Sequence, residues 1–373
     1  MDQTLVKTKA FDIAAARVTI DTKAIAANWR SLTALSAKAE TGAVLKADAY
    51  GLGAGPVARA LERAGCRSFF VASIAEGVEL RAVLPKARIF VLSGFWPGWE
   101  SPIVASNLIP VLASSEQLAA FRAMGRDHGF ALNFDTGMNR LGFTPDDAAA
   151  LAAMAEKPVM VMSHLACADE RGHPLNTRQL ESFQGVRGGF EGIESSLASS
   201  GAICLGADYH CDLTRPGIAL YGGEPLSGEP NPMRPAVHAE ARILQIREVK
   251  AGEFVSYGAT HILARDSRLA VVGAGYADGW QRSLSGSGVP LRRTLPEGGH
   301  GAVAGRKVKV VGRITMDLTT FDISDLPENG VRTGDYVSLF GDGITLDDAA
   351  RSAGTIAYEL LTGLGKRYER RYL

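Results

Sequence analysis

Between residues 17 and 222, short apolar runs alternate with stretches of helical periodicity. Residues 18–20 (VTI) read as a strand, followed by a helix opened by Asp21 or Thr22, with Ile25, Trp29, Leu32 and Leu35 at helical spacing. GAVLK (42–46) precedes a Gly-rich loop and a helix starting at Pro56, a favoured first-turn residue. The series continues with SFFVAS (68–73) and a helix over 74–84, ARIFVLSG (87–94) and a helix after it, LIPVL (108–112) and a helix over 114–126. ALNFD (131–135) precedes a helix over 145–156, and VMVMSHLA (159–166) one over 177–187. SLASSG (196–201) and GIALYG (217–222) close it. About eight strand–helix repeats over roughly 220 residues fit one (β/α)8 barrel, and strands apolar on both faces suit its buried parallel sheet. A doubly wound sheet has the same alternation.

The pattern changes at the Pro-rich segment PNPMRPA (230–236). Beyond it, strand-like runs are separated by Gly, Asp-Gly and Asn-Gly turns, which predicts a smaller antiparallel β domain. The expected domains are 1–235 and 236–373. A last helix follows the cap-like TLDD (345–348), and the basic tail Lys366, Arg367, Arg370 and Arg371 reads as a solvated terminal helix. SGSGVPLRRTLPEGGHGAVAG (285–305) reads as a flexible excursion.

Composition narrows the function. Basic and acidic residues both number 40, so the chain lacks the global field of a nucleic-acid binder. No apolar stretch is long enough to cross a bilayer, and MDQTLVKTKAFD has charges where a signal peptide is apolar, so a cytoplasmic location is expected. The four cysteines form no C-x-x-C pair, which argues against a disulfide framework. His164-x-x-Cys167 with Asp169 lacks the second spaced pair of a metal site, so no metal is expected.

In a barrel, chemistry sits at the C-terminal ends of the strands. There lie Lys46, Arg140, His164, Ser199, Ser200 and Arg215. Gly51, Gly53 and Gly55 follow Lys46, and Gly217 and Ile218 offer backbone N–H groups to a phosphate at an element start. Lys46 reads either as a desolvated nucleophile or base, or as a lysine snorkelling at the barrel rim. Tyr257 alone is equally consistent with strand packing.

The segments themselves carry a resemblance. AVLKADAYGLGAG (43–55), DTGMNRLGF (135–143), SHLACADE (163–170), LASSG (197–201), RPGIALYG (215–222), VSYGAT (255–260), GYADG (275–279), GRITMDL (312–318) and TIAYEL (355–360) resemble, in order, the motifs of the alanine racemase family. The resemblance covers nearly the whole chain. It implies a (β/α)8 barrel, a β domain and a head-to-tail homodimer in which each active site combines one barrel with the partner's β domain. It further implies that Lys46 carries pyridoxal 5'-phosphate as an internal Schiff base. The phosphate would be held by Tyr50, Ser200, the backbone of Gly217 and Ile218, and Tyr358. Arg215 would face the pyridine nitrogen, and Arg140 would reach the cofactor's phenolate oxygen and the substrate carboxylate. Tyr257 of the partner subunit would be the second base, with His164 bonded to it and the partner's Met316 N–H touching the substrate carboxylate. Tyr276, Asp169 and Arg313 would line an access corridor.

The implied reaction interconverts L- and D-alanine by two-base proton transfer at Cα, each base being within reach of Cα–H on its own face. Asn133 stands where many members of the family have a carbamylated lysine bracing Arg140, so that anionic brace is either missing or replaced by a bound anion such as chloride. Ser199 replaces a frequent asparagine and Thr315 a frequent cysteine, while Asp317 reads as structural. The competing readings are a broader serine or lysine racemase, a non-catalytic pyridoxal phosphate-binding protein, and a basic amino-acid decarboxylase. Presence of the second domain with its tyrosine argues against the binding protein, and the lack of the expected His and acidic pattern against the decarboxylase.

An arginine facing a pyridine nitrogen only donates hydrogen bonds, and so leaves that nitrogen unprotonated. Arg215→Glu is therefore expected to raise side transamination, measured as keto acid released from alanine. An unchanged yield would contradict this role.

Overall fold

The protein is described from a computed structural model covering residues 14–125 and 127–373. The charged stretch 1–12 lies outside the described residues. Two compact units are present. One comprises Ile20–Val237, Ala357–Thr362 and Tyr372–Leu373; the other comprises the described residues up to Thr19, His238–Ile356 and Gly363–Arg371.

Seven parallel strands pair in chain order in the first unit: Ala43–Val44, Ser68–Val71, Arg88–Val91, Ile109–Leu112, Ala131–Asn133, Met160–Met162 and Glu194–Ser196. An eighth, Leu213–Thr214, pairs in parallel with Glu40–Thr41, immediately before the first. On its other side the Asp212 N–H donates to Ser195 O (3.0 Å) and the Arg215 N–H to Ala198 O (2.8 Å). These bonds close the ring into the expected barrel. Its strands are short and buried on both faces; Ser68–Val71, for example, is buried throughout.

Helices return the chain outside the ring, and the starts of several are capped by side chains. Asp21 caps Thr22–Leu35, Ser73 caps Ile74–Val83 with Glu76 completing a capping box, and Ser114 caps Ser115–Ala123. The Ser73 and Ser114 caps follow directly on the C-terminal ends of their strands, the end that carries the loops of a site.

Two strands of the expected series differ. VTI lies within Ala16–Ile20, which joins the antiparallel sheet of the other unit. GIALYG is a 3-10 turn, Ile218–Tyr221, and the eighth barrel strand is the preceding pair Leu213–Thr214. A run of apolar residues could not distinguish a buried strand from a buried turn. The helix expected over 145–156 is a 3-10 turn, Pro145–Asp147, followed by Ala148–Ala152.

The second unit is antiparallel. Val237–Val249 pairs with Tyr336–Phe340 through its first half and with Ser267–Val272 through its second. Between those two neighbours run Thr319–Asp322, Arg306–Val310 and His300–Val303, so this sheet also closes. A register shift between Ile243 and Gln245 lets the long strand bend from one partner to the other. Residues 285–305 are not a loose excursion. Ser285 and Val289 are buried, and the Arg292 guanidinium donates to Ser283 O (2.9 Å) and Ser352 O (3.0 Å).

Thr345 caps the expected helix, Leu346–Ala353. The basic tail, in contrast, is the strand Glu369–Tyr372, preceded by a turn. Its apparent charge run is dispersed into partners: Arg367 donates to both oxygens of Asp278 (2.7 and 2.8 Å) and to Asp317 (2.7 Å). Asp278 is buried and also accepts the Gly275 N–H at 2.9 Å. Arg367 is half exposed and would keep Asp317, so removing Asp278 costs chiefly the hydrogen bonds that the buried carboxylate accepts. Asp278→Ala should lower the unfolding free energy in urea by about 1–2 kcal/mol, whereas an unchanged value would contradict this weight.

Candidate active site

At the C-terminal ends of the barrel strands lies a cavity of about 430 Å³, lined only by residues of the barrel unit. Lys46 enters it directly after the strand Ala43–Val44. Arg140, His164, Ser199, Ser200, Arg215 and Gly217 come from later strand ends, and Tyr358 from the helix Ala357–Thr362.

The backbone after Lys46 is unusual. Ala47, Asp48, Ala49 and Tyr50 all have φ between 53° and 59° with positive ψ, a left-handed turn built without glycine. Each such residue costs roughly 1–2 kcal/mol, so the surroundings must impose it. Ala49 N–H donates to Leu45 O (2.8 Å) and Gly53 N–H to Asp48 O (2.9 Å). The Ala54 N–H donates to Asp48 Oδ1 at 2.6 Å, and the Ala47 N–H to Glu76 Oε1 at 2.7 Å. The Tyr50 ring packs between Tyr221 and Tyr358, with centroids at 4.8 and 5.7 Å. The flexible Gly-rich loop expected here is thus a fixed turn, and its glycines follow the strained residues.

The cavity makes the Lys46 amine easier to deprotonate than a free lysine. Burial lowers the pKa of Lys46, the Arg140 charge lowers it further, and Glu76 opposes both. Burial, with Arg215, Arg140 and Lys46, pushes His164 down to about 3. Burial lowers Arg215 to about 10, still well above neutrality. Its guanidinium donates to Ser196 Oγ, to Ser163 O (2.7 Å) and to Leu197 O (3.3 Å), which fixes its plane. Arg140 is set by Asp135, whose carboxylate accepts the N–H groups of Gly137, Met138, Asn139 and Arg140 at 2.6–3.0 Å. Burial works against that charge, yet the four donors hold Asp135 below the usual carboxylate range.

The opposite end offers neutral donors. Ser200 Oγ accepts from Gly217 N (2.9 Å) and Ala219 N (3.3 Å), which leaves its own hydrogen to point into the cavity. Burial, then Tyr358, raises the Tyr50 phenol far above its ordinary value, so it stays a donor. A Cβ on Gly217 would strike the Tyr50 hydroxyl, which explains the glycine. One amine, a donor-only arginine and a cluster of neutral donors fit an aldehyde cofactor that bears a ring nitrogen and a phosphate.

Other expected residues lie elsewhere. Ile218 is buried and does not line the cavity. Tyr257 and Met316 belong to the β unit and are 72% and 53% exposed. Tyr276 and Arg313 share that unit. The Tyr276 N–H donates to Thr315 O (3.0 Å), and Arg313 Nε to Gly288 O (2.9 Å). Asp169, on the barrel unit, accepts from Ser227 Oγ at 3.1 Å. Asn133 lines the cavity and donates its amide to Leu141 O at 2.6 Å. No metal-binding cluster and no membrane-crossing helix occurs among the described residues. Sequence reasoning passed over Asp135 and Glu76. The first was legible as an Asp-x-Gly turn; the second was disguised as an ordinary S-x-x-E cap.

Family models describe both halves of the chain: alanine racemase, N-terminal domain, over residues 20–225, and alanine racemase, C-terminal domain, over 236–372. The chain is 56% identical to a biosynthetic alanine racemase of Agrobacterium fabrum over 98% of this chain and 96% of that one. It is 54% identical to an alanine racemase of Rhizobium meliloti, over 96% and 97%. The crystal structure of the Bartonella henselae alanine racemase with covalently bound pyridoxal phosphate superposes with a TM-score of 0.88 at 38% identity, covering 96% of this chain and 100% of that chain.

His164 supplies a test of the cavity's electrostatics. The unfolded chain takes up its proton near pH 6.5, whereas the folded one holds off until about 3. Stability from this group is therefore present above 6.5 and is lost as pH falls from 6.5 towards 3. Unfolding free energies between pH 7 and 4 should fall less steeply in His164→Gln than in the wild type; equal slopes would contradict the assignment.

Proposed function

The chain belongs to the alanine racemase family, and we propose that it interconverts L-alanine and D-alanine with pyridoxal phosphate held in the barrel cavity. The observation that carries this reading is the Lys46 amine, lowered in pKa and set at a strand end among Arg140, Arg215 and His164. Lys46 would hold the cofactor, Tyr50, Ser200, Gly217 and Tyr358 its phosphate, and Arg215 its ring nitrogen. Bound there, the cofactor supplies the electron sink that acidifies the substrate's Cα–H.

This chain's residues do the rest. Arg140, whose N–H is tied to Asp135, presents its guanidinium to a substrate carboxylate. Lys46 takes or returns the Cα proton on one face, and its lowered pKa keeps the free amine accessible for that work. Arg215 is charged and only donates, so it withholds a proton from the ring nitrogen that meets it. The opposite face needs a second base. The partner subunit's Tyr257 fills that role, with His164 orienting its hydroxyl and the N–H of the partner's Met316 at the substrate carboxylate.

The head-to-tail dimer this requires is supported by the β unit's surface. Phe254 and Ile262 are 60% and 67% exposed alongside Tyr257 and Met316, apolar area that a second copy would cover.

Two measurements check the reading. Purified protein supplied with pyridoxal phosphate should form D-alanine from L-alanine, with serine and lysine turned over far more slowly. Borohydride reduction of the loaded protein should fix the cofactor to the peptide containing Lys46. Failure to form D-alanine, or an adduct on another lysine, would contradict it.

A further inference from the structure

We propose that Glu76 is a positioning residue for Lys46, clamping the backbone that follows the lysine to the end of the neighbouring barrel strand and setting a negative charge beside the amine. The inference rests on the reading of Lys46 as the cofactor-bearing group. An ordinary capping box needs only the exchange between Ser73 and Glu76. Here that exchange is present, with Glu76 N–H on Ser73 Oγ at 3.3 Å and Ser73 N–H on Glu76 Oε2 at 3.2 Å. Two further bonds go beyond a cap. Glu76 Oε2 accepts the Ala72 N–H at 2.7 Å, at the end of the strand Ser68–Val71. Glu76 Oε1 accepts the Ala47 N–H at 2.7 Å, on the first residue of the left-handed turn.

One carboxylate thus joins the two strand ends and holds the peptide from which Lys46 emerges. A turn that costs free energy at four successive residues needs such an anchor at its start. Asp48 provides a second one at its end through the Ala54 N–H.

The charge has its own consequence. Around the cavity stand Arg140, Arg215, His164, Asp135, Tyr50 and Tyr358. Arg140 and Glu76 are the charges felt at the Lys46 amine, and they act in opposite directions. Arg140 favours the neutral amine; Glu76 limits how far its basicity falls. A residue that only held the helix in place would fix the fold without moving that titration.

The test uses the full-length protein stripped of cofactor, Lys46 labelling by trinitrobenzenesulfonate at a series of pH values, and peptide mapping. In Glu76→Gln the midpoint for Lys46 labelling should shift to lower pH, while that of the exposed Lys250 stays put. An unmoved midpoint would overturn the charge role. Hydrogen exchange on the wild-type protein tests the clamp without a variant, and so holds even where E76Q fails to fold. The Ala47 amide, on an exposed residue, should exchange at least roughly tenfold more slowly than an unprotected one. Unprotected exchange would overturn the clamp. Prior addition of pyridoxal phosphate should shield Lys46 from the label. Shielding of a different lysine would remove the reading of Lys46, a failure distinct from that of Glu76.

Discussion

An amine that must act as a nucleophile and a base has to give up its proton more readily than a free lysine does, and the barrel cavity is organised around that requirement. Lys46 is partly desolvated while still open to solvent, and it feels the positive charge of Arg140. The same field, with burial, keeps His164 neutral. Such a field is useful only if the amine is aimed. The aim comes from the left-handed turn at Ala47–Tyr50, which bends the chain away as soon as the lysine has left its strand. The strain is offset by bonds to Glu76 and Asp48 and by the packing of Tyr50 between two other tyrosines.

The arrangement also decides how an anion can be held. A lysine or arginine cluster at the end proposed for the phosphate would add to the cations already near Lys46. The cavity lining instead offers Ser200, Tyr50 and Tyr358 for that role. Ser200 is polarised by the two N–H groups it accepts, and the buried phenol of Tyr50 stays protonated. Anion binding and amine basicity are therefore set by separate groups. Asp135 shows the same economy on the other side, with one carboxylate spent on four backbone donors so that Arg140 is positioned without being neutralised.

Much of this was legible in the sequence. The alternation of apolar runs with helical periods gave the barrel, and the turn-rich strands after 236 gave the antiparallel unit, because periodicity reports which faces are buried. Lys46, Arg140, His164, Ser200 and Arg215 were found because strand ends are where a barrel exposes side chains. What stayed hidden depends on long-range contacts. VTI pairs in the second unit although it precedes the barrel, and GIALYG is as apolar as a strand but coils as a turn. The terminal basic run becomes a strand, with Arg367 paired to Asp278 across 89 positions of chain. No local rule predicts four left-handed residues of Ala, Asp, Ala and Tyr, since their propensities argue against it.

Racemisation needs a base on each face of one carbon. The cavity supplies an amine, while Tyr257 stands exposed on the other unit. The proposed reaction therefore requires two chains per site, and mixing two inactive variants tests that requirement most directly. Lys46→Ala and Tyr257→Phe should each be inactive as homodimers. Unfolded together in equal amounts and refolded with cofactor, they should regain about a quarter of wild-type racemase activity, since half of randomly assorted dimers are mixed and each mixed dimer holds one intact site. No recovery from well-folded mixed dimers would contradict the shared site.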